Sequence, residues 1–267
     1  MLSKKHLVVV GDSYCSSART NLIYNEFDSD AVGQQVNPDP KLHSWIDVAA
    51  NHLNLNLYSF GYAGRSWYYS RQALFRYIAD NPGWVDQIEC MVFCHTDAYR
   101  YNTGNGGVHN SLHLSDSYRD HQQQLLANAL RNWTVELMDP PFQCWAQEQW
   151  FYEIAREFKH INQIHFNNYH HTVEKSINIL PGVVFTTPLV YLSLGETSGT
   201  DEEIVKKYMT HDSRVNHFNA HNNIALGNLV SSTVQTYQPG HYTIDSSKFD
   251  IVNPNATKWP NPGFGTC

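Results

Sequence analysis

Long hydrophobic runs are absent from this sequence of 267 residues, whose longest apolar stretches are about five residues. A membrane-spanning helix needs about 20 consecutive apolar residues, so we expect no membrane span. The basic residues within 1–6 lead directly into a predicted strand, without a longer apolar segment or a cleavage site. We therefore expect no secretory signal and a cytoplasmic localisation.

Positive charge is also scarce. The chain has 18 Lys and Arg against 25 Asp and Glu, which gives a net charge of −7, and no basic run occurs anywhere in it. Proteins that bind nucleic acid usually carry a basic patch or stripe. The composition therefore argues against a nucleic-acid-binding surface, and we expect no nucleic-acid partner.

Cysteines are few, and their number is odd: the chain has five. Cys90 and Cys94 lie four residues apart within one predicted strand, which is not a metal-binding spacing, so we expect buried reduced thiols. His217 and His221 lie four apart on a predicted helix and could face one metal ion, but the sequence offers no motif for a third ligand. We expect neither a metal nor a cofactor.

What the chain does contain is a repeated alternation of short apolar runs and longer helical patterns. Three Val follow Leu7 and end at Gly11, which predicts a fully buried strand and then a turn with Asp12 and Ser13. Such alternation is typical of an α/β domain with a parallel sheet. Strands are predicted at 7–11, 55–60, 88–94, 161–166 and 183–185, and helices at 42–53, 67–79, 116–133, 141–158, 201–208 and 217–234.

Two long loops and a tail complete the organisation. Residues 14–41 and 101–115 have no sustained period, and we expect them to shape any pocket beside Ser13. Residues 237–267 contain four prolines and no helical period. We predict one domain over 1–236, followed by an irregular tail over 237–267 that docks on that domain or on a neighbouring chain, where it would support a homo-oligomer.

Four stretches carry a resemblance to a known family. They are the turn Gly11–Ser13, the glycine Gly64 within SFGYAGRS (59–66), the stretch VFCHTDAYR (92–100), and NHFNAHNNIALGNLV (216–230). Together they resemble the blocks of the SGNH hydrolases, also called GDSL-like esterases and lipases. The resemblance implies a flavodoxin-like three-layer α/β/α sandwich with a five-stranded parallel sheet.

The resemblance also implies roles for individual residues. Ser13 corresponds to the nucleophile, and His217 to the general base that takes its proton. The backbone N–H groups of Ser13 and Gly64 correspond to oxyanion-hole donors. The third donor of the family is an Asn side chain, and this chain has Thr96 at that position.

The chain departs from the family at two positions. The family's Asp lies three residues before the His, where this chain has Arg214, so Asp212 is the nearest carboxyl that could complete a triad. Thr96 is shorter than Asn by about 1.3 Å and would need a water bridge or a backbone shift to reach an oxyanion. His95 could take its place, and His95, Asp97 and Arg100 are the residues predicted to line the cleft.

Two functions follow as hypotheses. The first is a serine esterase that hydrolyses an ester, such as an O-acetyl group on a carbohydrate, by a Ser–His dyad or triad. The alternative is a catalytically weak or inactive module, structural or carbohydrate-binding, in a larger assembly such as a virus particle. The expected partner is an ester or acylated-carbohydrate small molecule, and the localisation would be the virion if the protein is viral.

Overall fold

The computed structural model describes residues 5–15, 44–61, 66–96, 98, 139–168, 176–193 and 218–250, with Ser13, Pro140, Ser176 and Ile177 described by their backbone alone. These residues form a parallel sheet of six strands in the order β2-β1-β3-β4-β5-β6, together with helices. The strands are β1 His6–Gly11, β2 Asn56–Gly61, β3 Ile88–His95, β4 Asn162–Asn167, β5 Val183–Phe185 and β6 Gly240–Tyr242. The helices are α1 Trp45–Leu53, α2 Trp67–Asp80, α3 Pro140–Glu157 and α4 Ala220–Gln235.

Strand β1 lies between two neighbours and is buried along its whole length. Val9 pairs with Ser59 of β2 on one side and with Val92 of β3 on the other. A parallel strand with both faces covered reads as a continuous apolar run, and the run Leu7–Val10 has that character. The α/β class and the parallel sheet predicted from the sequence are confirmed.

Alternate residues of the strands face two separate cores. The first core contains Leu7 and Val9 of β1 and packs against α1 and α4, whereas the second contains Val8 and Val10 and packs against α2 and α3. This alternation follows from the period of two along a strand. The sheet therefore lies between helices on both of its faces.

Helices α1 and α4 approach each other closely at Gly227. A Cβ atom on Gly227 would lie 2.6 Å from the Cβ of Val48 and 2.8 Å from the carbonyl oxygen of Trp45. No side chain larger than hydrogen fits there without moving one of the helices. Gly227 therefore sets the distance between the two helices that cover the first core.

Three of the four described helices begin with a capping side chain. The side chain of Ser66 accepts a hydrogen bond from the N–H of Tyr69 at the start of α2, and Asp139 does the same for Phe142 at the start of α3. Asn219 caps α4 by accepting from the N–H of Asn222 at 2.7 Å. Ser, Asp and Asn are favoured at this position because they satisfy free N–H groups of the first turn. The predicted helices at 116–133 and 201–208 lie outside the described residues.

The predicted count of five strands is wrong, because the sheet has a sixth. Strand β6 pairs in parallel with β5, with Val184 opposite His241, and it lies in the stretch expected to be irregular. Its three residues are too short to show an alternating pattern, so the sequence carried no signal for it. Ile244 and Phe249, which follow β6, are buried in the first core, whereas 251–267 lies outside the described residues.

Two further expectations concern the cysteines and the membrane. Cys15, Cys90 and Cys94 are free and buried, as expected. Cys144 on α3 is disulfide-bonded, so the expectation of reduced thiols is wrong at this position, which is only partly buried and lies outside the strand cores. Among the helices that the structure describes, none has the length and apolarity to cross a membrane.

Replacing Gly227 with Ala should destabilise the protein. Ala favours a helix over Gly by about 1 kcal/mol, but the added methyl group would meet Val48 and the Trp45 carbonyl. We expect the free energy of unfolding to fall by about 1–3 kcal/mol in a urea titration. Asn228→Ala, at an exposed position of the same helix, is the control and should change it little. A Gly227→Ala protein as stable as wild type would contradict the close contact.

Candidate active site

Three neighbouring strands end at one edge of the sheet, and a buried polar residue follows each end. Strands β1, β3 and β4 end at Gly11, His95 and Asn167. The next residues, Asp12, Thr96 and Asn168, are almost completely buried. Ligands of open α/β sheets bind beyond the carboxyl ends of the strands. This edge is therefore the place to look for a functional site.

The carboxyl group of Asp12 joins these three strand ends. Its Oδ1 accepts hydrogen bonds from the N–H of Tyr14 at 3.1 Å and from Nδ2 of Asn168 at 2.7 Å. Its Oδ2 accepts from the hydroxyl of Thr96 at 2.9 Å. A buried carboxyl is costly unless donors surround it, and here they come from three chain segments. Asp12 thus anchors the turn after β1 to the ends of β3 and β4.

Ser13 lies in that anchored turn. Residues Ser13–Cys15 form a single 3₁₀ turn, closed by the N–H of Cys15 donating to the carbonyl of Asp12 at 3.1 Å. The turn folds tightly onto its surroundings. A Cβ atom on Gly11 would lie 2.6 Å from Sγ of Cys15, and one on Gly61 would lie 2.5 Å from the carbonyl oxygen of Cys15. The Cβ atom on Gly11 would also lie 2.6 Å from the carbonyl oxygen of Cys94, so this close backbone approach requires the Gly of the Gly-Asp-Ser motif.

The hydroxyl of Thr96 is engaged within the site. It donates to Asp12, and a threonine hydroxyl has only one proton to donate. The carbonyl oxygen of Thr96 accepts from Nε2 of Gln147 on α3 at 2.6 Å, which holds the residue from the other side. In this arrangement Thr96 serves to hold Asp12, and its predicted part in an oxyanion hole stays a prediction.

His95 is part of the second core. Its Nε2 lies 3.0 Å from Nδ1 of His165, and its ring packs against Phe151 with the ring centroids 4.6 Å apart. Burial lowers the pKa of His95 well below its ordinary value, and the neighbouring His165 adds to this effect. Burial also lowers the pKa of His165 to about 3, against the opposing effect of the Pro181 carbonyl. Both rings are therefore neutral near pH 7, and Nε2 of His95 is already engaged.

Several predicted site residues lie outside the described residues. These are Gly64, Asp97, Arg100, Asp212 and His217, together with Arg214; of Ser13, only the backbone is described. The residue that follows His217 is described. Phe218 is buried, and its ring meets that of Tyr14, the residue that follows Ser13, edge to face with the centroids 5.4 Å apart.

A chain of hydrogen bonds also links these two segments. The indole Nε1 of Trp45 donates to the carbonyl oxygen of Tyr14 at 2.6 Å, and the backbone N–H of Trp45 donates to Oδ1 of Asn223 at 2.9 Å. Nδ2 of Asn223 in turn donates to the carbonyl oxygens of Phe218 and Asn219, at 3.2 and 3.0 Å. Helix α1 therefore connects the turn after Ser13 to the start of α4.

The structure offers no metal site in the part of the chain that it describes. No group of three or more His, Cys, Asp or Glu side chains comes together there. His221, the second histidine of the spaced pair, is exposed, and its Nε2 lies 3.2 Å from the Lys248 carbonyl and 3.5 Å from Oδ1 of Asp250. It therefore contacts the segment after β6.

Sequence reasoning missed four residues that build this edge. The sequence shows Asp12 only as part of the Gly-Asp-Ser turn, whereas in the structure its carboxyl joins three strand ends. Asn168 follows a predicted strand and could have been found as a polar residue at the same sheet edge. Trp45 and Asn223 meet across 178 positions of sequence, so no local pattern could pair them.

Comparison with known proteins adds no family. No protein-family model matches the chain, and no curated protein matches it. The likeness to the SGNH hydrolases therefore depends on the motif residues and their spacing.

Replacing Thr96 with Val should destabilise the protein more than replacing it with Ser. Val keeps the shape but leaves Oδ2 of Asp12 without its Thr96 donor, and removing a donor from a buried acceptor costs about 1–3 kcal/mol. Ser keeps the hydroxyl and loses one methyl group, worth about 0.8 kcal/mol. Urea titrations of both variants measure the difference. A Val variant at least as stable as the Ser variant would show that the Thr96 hydroxyl does not support Asp12.

The His95–His165 pair should make the protein acid-sensitive. The pKa of His165 is about 3 in the folded protein and about 6.5 in an unfolded chain. Between these values only the unfolded chain holds the proton of His165, so this residue alone should lower the free energy of unfolding by about 1.4 kcal/mol for each pH unit below 6.5.

Urea titrations between pH 7 and 4 test this slope. In His165→Leu the slope should be smaller than in wild type by about that amount. His52→Gln, at an exposed position of α1, is the control and should keep the wild-type slope. Equal slopes for His165→Leu and wild type would contradict the assignment of a neutral buried ring.

Proposed function

We propose that this chain is a serine esterase of the SGNH type, with a flavodoxin-like α/β/α sandwich. The strand order supports the finer fold assignment. Strands β2-β1-β3-β4-β5 follow the order of flavodoxin-like sheets, with β6 added at one edge. In such sheets the ligand site lies at the carboxyl end of the first strand, where the Gly-Asp-Ser turn occurs in this chain.

The contact between Tyr14 and Phe218 carries the proposal. These residues directly follow the proposed nucleophile Ser13 and the proposed base His217, and their rings touch. Consecutive Cα atoms are about 3.8 Å apart, so this contact supports the proposal that Ser13 and His217 act together. A serine hydroxyl needs such a neighbour to become a useful nucleophile.

The proposed reaction proceeds in two steps. His217 takes the proton of Ser13 Oγ as the oxygen attacks the ester carbonyl, and the backbone N–H groups of Ser13 and Gly64 donate to the oxyanion. The intermediate expels the alcohol, which receives the proton from His217 and leaves an acyl-serine. A water molecule, activated by His217, then releases the acid and restores the serine. For an O-acetylated carbohydrate, the products are acetate and the free sugar hydroxyl.

The two departures from the family predict a slow enzyme. Removing one oxyanion donor typically costs about 10²–10³ in rate. The Thr96 hydroxyl donates to Asp12, so we propose that it does not replace the family's Asn. Asp212 could orient His217, but Arg214 lies two residues away and is itself a natural partner for a carboxyl. We therefore propose that the site works as a Ser–His dyad.

The engaged Thr96 hydroxyl also supports a second candidate function. If the missing donor abolishes chemistry, the chain would serve as a structural or carbohydrate-binding module of a larger assembly, such as a virus particle. We propose that the protein is cytoplasmic if it is cellular and part of the virion if it is viral. Residues 237–267 would then supply a contact between copies.

A fluorophosphonate probe distinguishes the two candidates. An activated serine displaces fluoride from the probe and forms a stable phosphoryl ester, whereas an unactivated serine does not react. We expect the intact mass of the wild-type protein to increase by one adduct, which peptide mapping assigns to Ser13. Ser13→Ala should prevent this labelling, and Ser232→Ala, at an exposed position of α4, should not. A wild-type protein that stays unlabelled would favour the inactive module.

A further inference from the structure

The segments that carry the proposed nucleophile and base belong to distant parts of the chain and are not on neighbouring strands. The described residues next to them, Tyr14 and Phe218, are joined in the structure through a third element, helix α1. The link consists of Trp45, which lies outside every motif that indicated the function, and Asn223, which lies within the stretch 216–230 but has no role assigned there. Both are completely buried, so neither can contact a substrate.

We propose that Trp45 and Asn223 are positioning residues that hold the Ser13 turn and the His217 segment at a working separation. This inference rests on the proposed esterase function. The path runs from the Tyr14 carbonyl to the indole of Trp45, from the Trp45 backbone N–H to Asn223, and from Asn223 to the carbonyls of Phe218 and Asn219. We call these four hydrogen bonds the Trp45–Asn223 clamp.

The polarity of the clamp is determined by its partners. Backbone carbonyls can only accept and a backbone N–H can only donate, so the amide of Asn223 must present its oxygen to Trp45 and its nitrogen to α4. A flipped amide would place like groups together at both ends. The Asn223 amide therefore has one orientation. A carboxylate in its place could accept from the Trp45 N–H but could not donate to the carbonyls of Phe218 and Asn219.

The clamp is also stiff. Gly227, one turn of α4 beyond Asn223, brings that helix against the carbonyl of Trp45, so α1 and α4 cannot separate or slide without losing this contact. The Tyr14–Phe218 ring contact closes the same loop from the other side. Small errors in the placement of a catalytic group reduce the reaction rate steeply. A stiff link of this kind therefore affects the reaction rate as well as the stability of the protein.

Trp45→Phe is the main test, and Trp84→Phe is its matched control. Both change a buried Trp to Phe, but Nε1 of Trp84, in the second core, has no hydrogen-bond partner among the described residues. The first readout is the rate of fluorophosphonate labelling of Ser13, separated into the affinity for the probe and the maximal labelling rate. The second is hydrogen–deuterium exchange of peptides covering 7–15, and the third is the thermal midpoint.

We expect Trp45→Phe to lower the maximal labelling rate at least tenfold relative to Trp84→Phe, with unchanged probe affinity. Its thermal midpoint should be lower by a few degrees, because the buried Tyr14 carbonyl loses its indole donor. Exchange at 7–15 should increase in Trp45→Phe alone. Equal labelling rates in the two variants, with wild type labelled, would overturn the clamp and leave the esterase function standing. An unlabelled wild type would overturn the esterase function, and the catalytic role of the clamp with it.

A second pair of variants covers the case in which Trp45→Phe does not fold. Asn223→Asp keeps an acceptor for the Trp45 N–H but lacks the amide nitrogen that donates to α4. Asn222→Asp makes the same change at the adjacent buried residue, whose amide bonds the Leu192 carbonyl and the Asp250 N–H instead. The inference requires slower labelling in Asn223→Asp than in Asn222→Asp, and it is overturned if the two are equal.

Discussion

The arrangement of this sheet edge depends on one buried carboxyl group. Asp12 accepts hydrogen bonds from the turn after β1, from Thr96 after β3 and from Asn168 after β4. Each donor relieves part of the cost of burying the group, and none can move independently of the others. The conformation of the Ser13 turn is thus determined by the relative register of three strands. A one-residue slip in β3 or β4 would replace a donor by a residue from the opposite face of the sheet.

The helices on the two faces of the sheet have different roles. On one side, α1 and α4 join the turn after Ser13 to the segment after His217. On the other, α2 and α3 cover a core in which His95 and His165 stack with Phe93 in place of apolar side chains. Gln147 of α3 connects this side of the sheet to the site, because its side-chain amide donates a hydrogen bond to the carbonyl of Thr96.

Much of this fold could be predicted from local pattern, whereas the supports of the site could not. The valines of β1 and the capping residues Ser66 and Asp139 leave signals within a few positions, and the structure has the elements there. The period of two also assigns His95 to the same face of β3 as Phe93. The Trp45–Asn223 pair depends on residues that are distant in sequence, and strand β6 is only three residues long. Neither feature leaves a periodic signal in the sequence.

The unequal edges of the sheet limit how copies of this chain can join. Within the described part of the chain, β2 borders the sheet on one side with six residues and β6 on the other with three. An added strand needs a row of free N–H and C=O groups, and a three-residue border offers too few for a stable ladder. Within the described residues, sheet extension by a second copy of the chain is therefore unfavourable at the β6 border. At the β6 border, self-association would have to use side-chain surfaces, where shape rather than backbone pairing selects the partner.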